Sequence, residues 1–506
     1  MNTPDGAPTD IDANSGQLWR RIWRLHFLAG VVIAPALVWF AFTGLVILYS
    51  DVINEKTNAD EFTVQVGERE VSLDEQLSTI VASKDGYSFE AVTPARKAER
   101  SNVFNMVDSD GRSREVFVNQ YTGEIVGDRV VGKDLVSFAN ATHGSILPRQ
   151  FTMPIPSLTG LLGEGPAFRT VEVGEVVVEI LAGWALVLAV SGIYLWWPRS
   201  NSEKRKFIPR FSRRGRPMWR DLHASGGTLL SVGLIFFVVT GLPWATFWGN
   251  EFQNVANVLT PNTENFWDEP GPASEVPQVG DLTRDGVRIP WASGSDAVPT
   301  SDSDGHHDHG SMDGSVTEPA PAPAESVGLE AVYRAAQDEG MKPGFTIVPP
   351  TDVVDENGST MYGAFVVFNP WPSSLGEQGA LYVDQFSAQT LGRSDVHTWG
   401  GLQQVAEFGV QTHMGTQFGL INRIFLTTIC LLVIWSIVTA FVMWLRRRRP
   451  GSLGVPRRPV DQRTQKSVGI VALVLGVIYP LWGMSALLLL VVDRYLPRRS
   501  RLLVSG

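Results

Sequence analysis

Five long apolar segments constrain this chain more than any other feature of its sequence. Four of them contain no Asp, Glu, Lys or Arg, and the second contains only Glu179. The segments are residues 27–49, 176–197, 224–248, 424–445 and 468–492. Each is long enough to cross about 30 Å of hydrocarbon as a helix that rises roughly 1.5 Å per residue. The sequence therefore predicts a polytopic α-helical membrane protein with about five spans.

This organisation excludes several classes of protein. A soluble enzyme, a secreted disulfide scaffold and a nucleic-acid-binding protein are not expected to carry such segments. The single cysteine, Cys430, lies inside the fourth segment, so neither a disulfide nor a CxxC metal site is expected. The lipid bilayer is therefore the first partner that the sequence predicts.

The basic residues beside the segments predict the orientation, because cytoplasmic loops are enriched in Lys and Arg. Three arginines precede the first segment, and the loop 198–222 has nine basic residues against two acidic ones. A third basic stretch begins at Arg446. We therefore expect a plasma (inner) membrane protein with a cytoplasmic N-terminus and two long extracytoplasmic loops, 51–165 and 250–410. The second of these loops has 24 acidic and five basic residues.

The last apolar segment fits this rule poorly. A single span over 468–492 is favoured, because its 25 residues are too few for two full crossings. Such a span would place four basic residues of the tail on the outside, namely Arg494, Arg498, Arg499 and Arg501. A re-entrant turn near Pro480 and Gly483 is the alternative.

The two halves of the chain contain the same unit. His26 is followed 17 residues later by Thr43, and His223 is followed 17 residues later by Thr240. The outer loops also correspond, because VFVNQYTGEIVGDRV (116–130) aligns with LYVDQFSAQTLGRSDV (381–396), and both predict a strand, a turn and a strand. Each is followed by a histidine and a second span, which ends in SGIYLWWPR (191–199) or TAFVMWLRR (439–447). An internal duplication is therefore predicted.

Four histidines occupy equivalent places in this duplication. His26 and His223 lie at the cytoplasmic ends of spans, whereas His143 and His413 come just before spans on the outer side. Imidazole pairs on facing helices bind b-type haem in helical bundles, and the four histidines suggest two such sites, one in each leaflet. We also expect each imidazole to be at a helix N-terminus, where the helix dipole keeps it neutral. The alternative is that these histidines are interfacial anchors.

At this point the chain resembles the PepSY-associated transmembrane helix proteins, also called iron-regulated membrane proteins, which include ferric-siderophore reductases. The motifs that carry the resemblance are RLHFLAG…FTGLVILY (24–49), VNQYTGEIVG (118–127), THGSILPR (142–149), LHASGGTLLS…VTGLPW (222–244) and THMGTQFGLINR (412–423). The resemblance implies a dihaem transmembrane reductase with two haem b groups and two extracytoplasmic α+β domains of PepSY type. It implies that His26 and His223 ligate one haem iron, and that His143 and His413 ligate the other.

The expected organisation follows from these boundaries. In chain order it comprises a tail (1–19), span 1 (20–50), outer domain 1 (51–141), a histidine motif, surface loop and span 2 (142–198), a basic loop (199–221), span 3 (222–249), outer domain 2 (250–411), a histidine motif and span 4 (412–446), a basic loop (447–466), span 5 (467–493) and a tail (494–506). Residues 296–326, rich in Ser, Asp, Gly, Ala and Pro, are expected to be a disordered insertion in outer domain 2.

Three questions stay open at this stage. The sequence carries no GxGxxG or P-loop motif, so the electron donor is expected to be a quinol or a separate soluble reductase. The acceptor implied by the resemblance is an extracytoplasmic ferric siderophore. A cupric reductase or copper-handling protein is the alternative, because the tract DGHHDHGSMDG (304–314) offers copper or zinc the side chains of His306, His307 and His309. A second alternative is a membrane-anchored interaction or regulatory protein without haem. His397 is expected to be structural.

Overall fold

The protein forms two compact units in the computed structural model. The structure describes residues 10–148, 150–157, 160, 167–197, 215–262, 278–282, 289–301, 325–354, 360–448, 450, 454, 473, 476 and 479–495. The helical unit comprises 1–45, 141–251 and 423–506, and the sheet unit comprises 46–140 and 252–422. The tract with His306, His307 and His309 lies outside the described residues.

Twelve α-helices are present among the described residues. They are α1 (Asp10–Leu48), α2 (Ser50–Thr57), α3 (Ala59–Phe62), α4 (Leu73–Ser83), α5 (Leu135–Gly144), α6 (Val173–Trp196), α7 (Arg216–Gly241), α8 (Trp248–Leu259), α9 (Leu329–Asp338), α10 (Gly401–Met414), α11 (Gly419–Arg447) and α12 (Pro480–Tyr495). Four stretches among these helices are long and apolar enough to cross a membrane, namely Leu18–Leu48, Val173–Trp196, Arg216–Trp244 and Gly419–Arg447. The first four predicted spans thus correspond to observed helices.

Small residues allow the helices of the helical unit to pack closely. A Cβ on Gly233 of α7 would lie 2.8 Å from the Ile429 side chain of α11, which is too close for any side chain. A Cβ on Gly183 of α6 would likewise lie 2.8 Å from Cβ of Trp482. Since interiors tolerate little overlap, these glycines fix the distances between neighbouring helices.

The last apolar segment differs from the single span that the sequence favours. A Cβ on Gly483 would lie 2.5 Å from Cα of Gly476, whereas residues seven apart in one continuous helix are about 10 Å apart along its axis. The helix α12 begins at Pro480, a residue that cannot donate the backbone hydrogen bond that a continuing helix needs. Gly476 and Gly483 are too close for one straight span over 468–492. A reversal of the chain direction before Pro480 would bring these two glycines together.

The helix α12 runs in the same direction as α6. Leu481 packs in one apolar cluster with Val176, which lies in the first turn of α6. One turn further along α12, and about two turns further along α6, Trp184 Nε1 donates to Ser485 Oγ over 3.0 Å. The C-terminal end of α12 therefore lies at the Trp196 end of α6, which is followed in the chain by the basic loop 199–221.

The sheet unit is built on one antiparallel sheet of eight strands. The strands among the described residues are β1 (Ser88–Thr93), β2 (Asn102–Val107), β3 (Ser113–Val118), β4 (Ile125–Val130), β5 (Thr152–Pro156), β6 (Phe168–Glu172), β7 (Thr346–Val348), β8 (Val353–Val354), β9 (Thr360–Met361), β10 (Ala364–Phe368), β11 (Gly379–Asp384) and β12 (Thr390–Asp395). The order in the large sheet is β12-β11-β10-β7-β1-β2-β3-β4, and β5–β6 and β8–β9 are separate hairpins.

The duplication is visible in this sheet. Each half contributes one helix and four strands, α4 with β1–β4 and α9 with β7 and β10–β12, and the halves join where Val92 of β1 pairs with Ile347 of β7. Both helices pack on the same core, with Ile80 from α4 and Val332 from α9 fully buried. The predicted strand–turn–strand patterns are confirmed as β3–β4 and β11–β12.

Two expectations are corrected by this unit. The sequence predicts two outer α+β domains, but the strands of both loops complete one another in a single sheet, because β1 and β7 would otherwise be unpaired edges. The disordered insertion was expected to begin at residue 296, yet Val298 is 5% exposed in a second apolar core and the Ser301 amide donates to the Tyr362 carbonyl over 2.7 Å. Residues 296–301 therefore belong to the fold.

Candidate functional site

His26 is held by a serine of a neighbouring helix. Its Nδ1 lies 2.8 Å from Oγ of Ser191 in α6. The Ser191 hydroxyl donates its own proton to the Leu188 carbonyl over 3.2 Å, so it is available to accept from His26. This arrangement places the imidazole proton on Nδ1 and leaves the lone pair on Nε2, the tautomer that a metal-ligating histidine needs.

His223 has the same arrangement in the second repeat. Its Nδ1 lies 3.1 Å from the Ser436 carbonyl and 3.2 Å from Oγ1 of Thr439, both in α11. Because a carbonyl oxygen only accepts, Nδ1 carries the proton here too. The Thr439 hydroxyl donates to the Ser436 carbonyl over 2.9 Å, which fixes it against the helix backbone. His223 therefore also carries its lone pair on Nε2.

The two imidazoles belong to one region of the helical unit. His26 and His223 are close enough to interact electrostatically. A Cβ on Gly192 of α6 would lie 3.3 Å from Cε1 of His26 and 3.5 Å from Oγ of Ser231 in α7, so glycine provides room between these side chains. The structure thus brings together the pair that was expected to share one site.

His143 is held by Thr43, the threonine that follows His26 by 17 residues in the repeated unit. Its Nδ1 lies 2.8 Å from Oγ1 of Thr43, which donates to the Trp39 carbonyl over 2.9 Å. The ring is also in edge contact with Phe40, at 5.7 Å between centroids. A Cβ on Gly44 would lie 3.4 Å from Cε1 of His143. The Thr43-Gly44 pair therefore positions an imidazole, which the sequence analysis did not predict.

His413 lies in the sheet unit, in the last turn of α10. The helix ends at Gly415, which has φ of 83°, and the Asn422 side chain donates to the Thr412 carbonyl over 2.9 Å. His397 is exposed, and its amide donates to Asp395 Oδ1 over 2.8 Å, as a turn residue would. The pairing of His413 with His143 stays a prediction from the sequence.

The expectation that the four histidines begin helices is wrong. The helix α1 extends from Asp10 past His26, and α7 begins two turns before His223. His143 and His413 lie in the last turns of α5 and α10, where the helix dipole favours a charged imidazole. For His26, His143 and His223, the hydrogen bond at Nδ1 determines which nitrogen carries the proton of the neutral ring, and it leaves the lone pair on Nε2.

A comparison with protein families assigns the chain to a known family. The model of the PepSY-associated TM region matches residues 23–447. The chain belongs to this family. The match includes all four histidines and both halves of the sheet, and it indicates a membrane protein of the iron-regulated membrane protein type. A search of curated proteins found no match for the chain.

The residues that hold the histidines were not identified from the sequence, although the repeat places a hydroxyl residue at equivalent positions in two spans. Ser191 and Thr439 are the first residues of the two aligned span ends, SGIYLWWPR and TAFVMWLRR. Their contacts to His26 and His223 are equivalent, because those histidines are themselves repeat partners. A hydroxyl residue at the same place in both repeats was therefore informative.

A buried polar network in the sheet unit was also not predicted. Asp296 Oδ1 accepts from the Asn262 amide over 3.0 Å, and Oδ2 accepts from Ser394 Oγ over 2.5 Å. Ser394 Oγ also accepts from Trp399 Nε1 over 2.9 Å. Burial raises the pKa of Asp296 to about 6, although hydrogen bonds from Ser394, Asn262 and Tyr382 oppose the shift. Asp296 therefore titrates close to physiological pH.

Proposed function

We propose that this protein is a dihaem b-type transmembrane reductase. Electrons would pass from the cytoplasmic side to an extracytoplasmic ferric complex, a ferric siderophore, for iron acquisition. The observation that carries the proposal is the matched setting of His26 and His223. Each belongs to one repeat, and each has its Nδ1 proton held by hydroxyl or carbonyl groups of an adjacent span.

The residues present fit a b-type haem. Two neutral imidazoles from different helices are the ligands that a bis-histidine haem requires, and His26 and His223 would supply them for one site. Haem supplies one-electron transfer when bound. The chain's own residues fix the ligands, because Ser191, Ser436 and Thr439 prevent each ring from rotating about its Cβ–Cγ bond and raise the basicity of Nε2.

A second haem is proposed from the sequence and from the setting of His143. Its Nδ1 is anchored by Thr43, in the same manner as the other two rings. His413 is its partner in the expected topology and in the family resemblance. Two haems would divide the membrane crossing, since the 17 residues from His26 to Thr43 amount to about 25 Å of helix.

The acceptor is proposed to be ferric iron in a siderophore. Ferric iron prefers hard oxygen ligands, and its reduction to Fe(II) weakens that chelation and releases the metal. The family match supports this acceptor, because it indicates a protein of the iron-regulated membrane protein type. The electron donor, a quinol or a soluble reductase, is separate from this chain.

Reduction of a ferric hydroxamate by the purified protein tests this function. The haem-supplied protein is reduced with dithionite, freed of excess reductant, and mixed with the ferric hydroxamate and an Fe(II)-specific chromogenic chelator. We expect reoxidation of the protein together with formation of the Fe(II) complex. His26→Ala and His223→Ala should each halve both signals, because only the haem assigned to His143 and His413 remains to be reduced, and His397→Ala, at an exposed histidine, should preserve them.

Two outcomes would contradict the proposal. A folded, haem-supplied protein without haem would support the non-enzymatic alternative. Reoxidation by cupric but not ferric complexes, lost on deletion of residues 304–314, would support the copper alternative.

A further inference from the structure

Glu179 is a buried carboxyl group that the proposed electron transfer does not use. It lies in the second turn of α6 and is 1% exposed. Its Oε2 accepts from the Phe247 amide over 2.8 Å, and the Trp248 amide is also hydrogen-bonded to the carboxyl group. These amides belong to the N-terminus of α8, so one oxygen of Glu179 caps that helix.

Capping leaves three polar atoms around Glu179 without a partner. Glu179 Oε1, Tyr479 Oη and Trp248 Nε1 are buried and have no hydrogen-bond partner among the described residues. The Trp248 and Tyr479 rings are 6.2 Å apart between centroids, and the Tyr479 hydroxyl interacts electrostatically with Glu179. An unpaired buried polar atom costs about 1–3 kcal/mol, so three in one place indicate an occupant that both donates and accepts.

The chemistry of this place favours water. Tyr479 is 7% exposed, and the aliphatic neighbours Val176 and Leu481 close the cluster from the side of β5 and β6. Small polar sites of this kind, with two to four polar partners, are where proteins hold internal water. Water can donate to the carboxyl oxygen, accept from the indole, and donate to or accept from the phenol.

The charges around Glu179 favour a bound proton. Arg169 in β6 is the cation that faces it, and its Nη2 donates to the Thr246 carbonyl over 2.8 Å. The same guanidinium interacts with three carboxyl groups, those of Glu179, Glu175 and Glu251. Glu251 in α8 is 4% exposed, so two buried carboxyl groups share one arginine. Full ionisation would leave uncompensated negative charge in a medium of low dielectric constant.

We propose that Glu179, Tyr479 and Trp248 form a binding site for internal water and one exchangeable proton. Glu179 releases the proton to water, so that a carboxylic acid and a water molecule become a carboxylate and a hydronium ion. In the reverse step the carboxylate takes the proton back. Arg169 and Glu251 are the neighbouring charged groups that determine the electrostatic cost of ionising Glu179. This site goes beyond the proposed electron transfer and does not depend on bound haem.

Infrared spectroscopy of the full-length protein in lipid nanodiscs tests the site. Difference spectra are recorded between pH 5 and pH 9, in light and heavy water. We expect the carbonyl stretch of a protonated carboxylic acid that disappears as the pH rises and shifts in heavy water. Glu179→Gln should remove this band. Tyr479→Phe should shift its frequency, because the phenol no longer reaches the water cluster.

The control is Glu124→Gln, which makes the same replacement at an exposed position between β3 and β4. It should leave the band in place. If the wild-type and Glu179→Gln spectra superimpose, Glu179 keeps one protonation state between pH 5 and pH 9 and the proposal is overturned. A band that Tyr479→Phe leaves unchanged would overturn the part of the site assigned to Tyr479. This second variant keeps the test valid if Glu179→Gln does not fold.

Discussion

At the scale of single residues, the histidines are oriented by hydroxyl groups and not by their own helices. Ser191 and Thr439 are repeat partners in different spans, and each contacts the histidine of its own half. In both cases the hydroxyl proton goes to a backbone carbonyl of the same helix. Such outer contacts fix a ligand's tautomer and raise its basicity, so their loss should affect haem binding without unfolding the protein.

Substitution of these hydroxyls should weaken haem binding. We expect Ser191→Ala and Thr439→Val each to lower haem affinity by about 10- to 100-fold, the usual cost of losing a partner of a metal-ligating histidine. Haem titration of the apoprotein measures this. Thr428→Val is the matched control, because Thr428 donates to the Ile424 carbonyl on an exposed face of α11. Equal affinity in all variants would show that the hydroxyls do not orient the ligands.

Asp296 should make the stability of the protein depend on pH. Its folded-state pKa of about 6 exceeds its ordinary value, so its contribution to stability is present at low pH and is lost as the pH rises through 6. The loss is about 3 kcal/mol at most. Melting in detergent should therefore occur at a higher temperature at pH 5 than at pH 7.5. Asp296→Asn should reduce this difference.

The control for Asp296 is Asp338→Asn, at an exposed position of α9. It should keep the pH dependence of the wild-type protein. Burial also raises the pKa of Glu407, so some dependence should persist in Asp296→Asn. An unchanged difference in Asp296→Asn would mean that Asp296 is ionised in the folded protein at pH 5.

At the scale of elements, the repeat predicts the turns as well as the strands. The turn between β3 and β4 has Gly123 with φ of 73°, and the equivalent turn between β11 and β12 has Ala388 with φ of 57°. Both residues donate a backbone hydrogen bond four residues back, to Asn119 and Asp384 respectively. The second turn therefore keeps a left-handed conformation in which alanine is strained.

The substitutions Ala388→Gly and Gly123→Ala should have opposite effects on the stability of the protein. Ala388→Gly should stabilise the protein by up to about 1 kcal/mol, because relief of left-handed strain exceeds the entropy cost of glycine. Gly123→Ala should destabilise it by a similar amount. Thermal unfolding in detergent checks both signs. Destabilisation by Ala388→Gly would show that the Ala388 backbone is not strained.

Much of the fold could be predicted from the sequence, since its signals are local. Four spans follow from apolar length, and β3–β4 and β11–β12 follow from alternation and turn residues. The joining of β1 to β7 could not be predicted, because strand pairing between distant segments leaves no local pattern. The four histidines are proposed as ligands from spacing, whereas the contacts of three of them to Ser191, Thr43 and Thr439 depend on which helix faces come together.

At the scale of the whole molecule, the direction of α12 removes a conflict with the charge rule. It runs parallel to α6, so its Tyr495 end lies with the end of α6 that precedes the basic loop. The arginines that follow would then be cytoplasmic, as the rule requires. A single span over 468–492 would put them on the opposite side.

Chemical labelling of the C-terminus should confirm this direction. In a Cys430→Ser background, we expect Ser505→Cys to resist a membrane-impermeant maleimide in intact cells and to react in inverted membrane vesicles. A cysteine in the basic loop, at Ser202, should behave identically. Labelling of Ser505→Cys in intact cells would instead support a single outward span.

The account as a whole depends on haem binding by the His26–His223 pair, which a count of haem per chain measures most directly. A pyridine haemochrome assay of the wild-type protein should give about two b-type haems. His26→Ala and His223→Ala should each lose one, and the double variant should lose the same single haem and no more. Two haems in both single variants, or none in a folded and haem-supplied wild-type protein, would contradict the account.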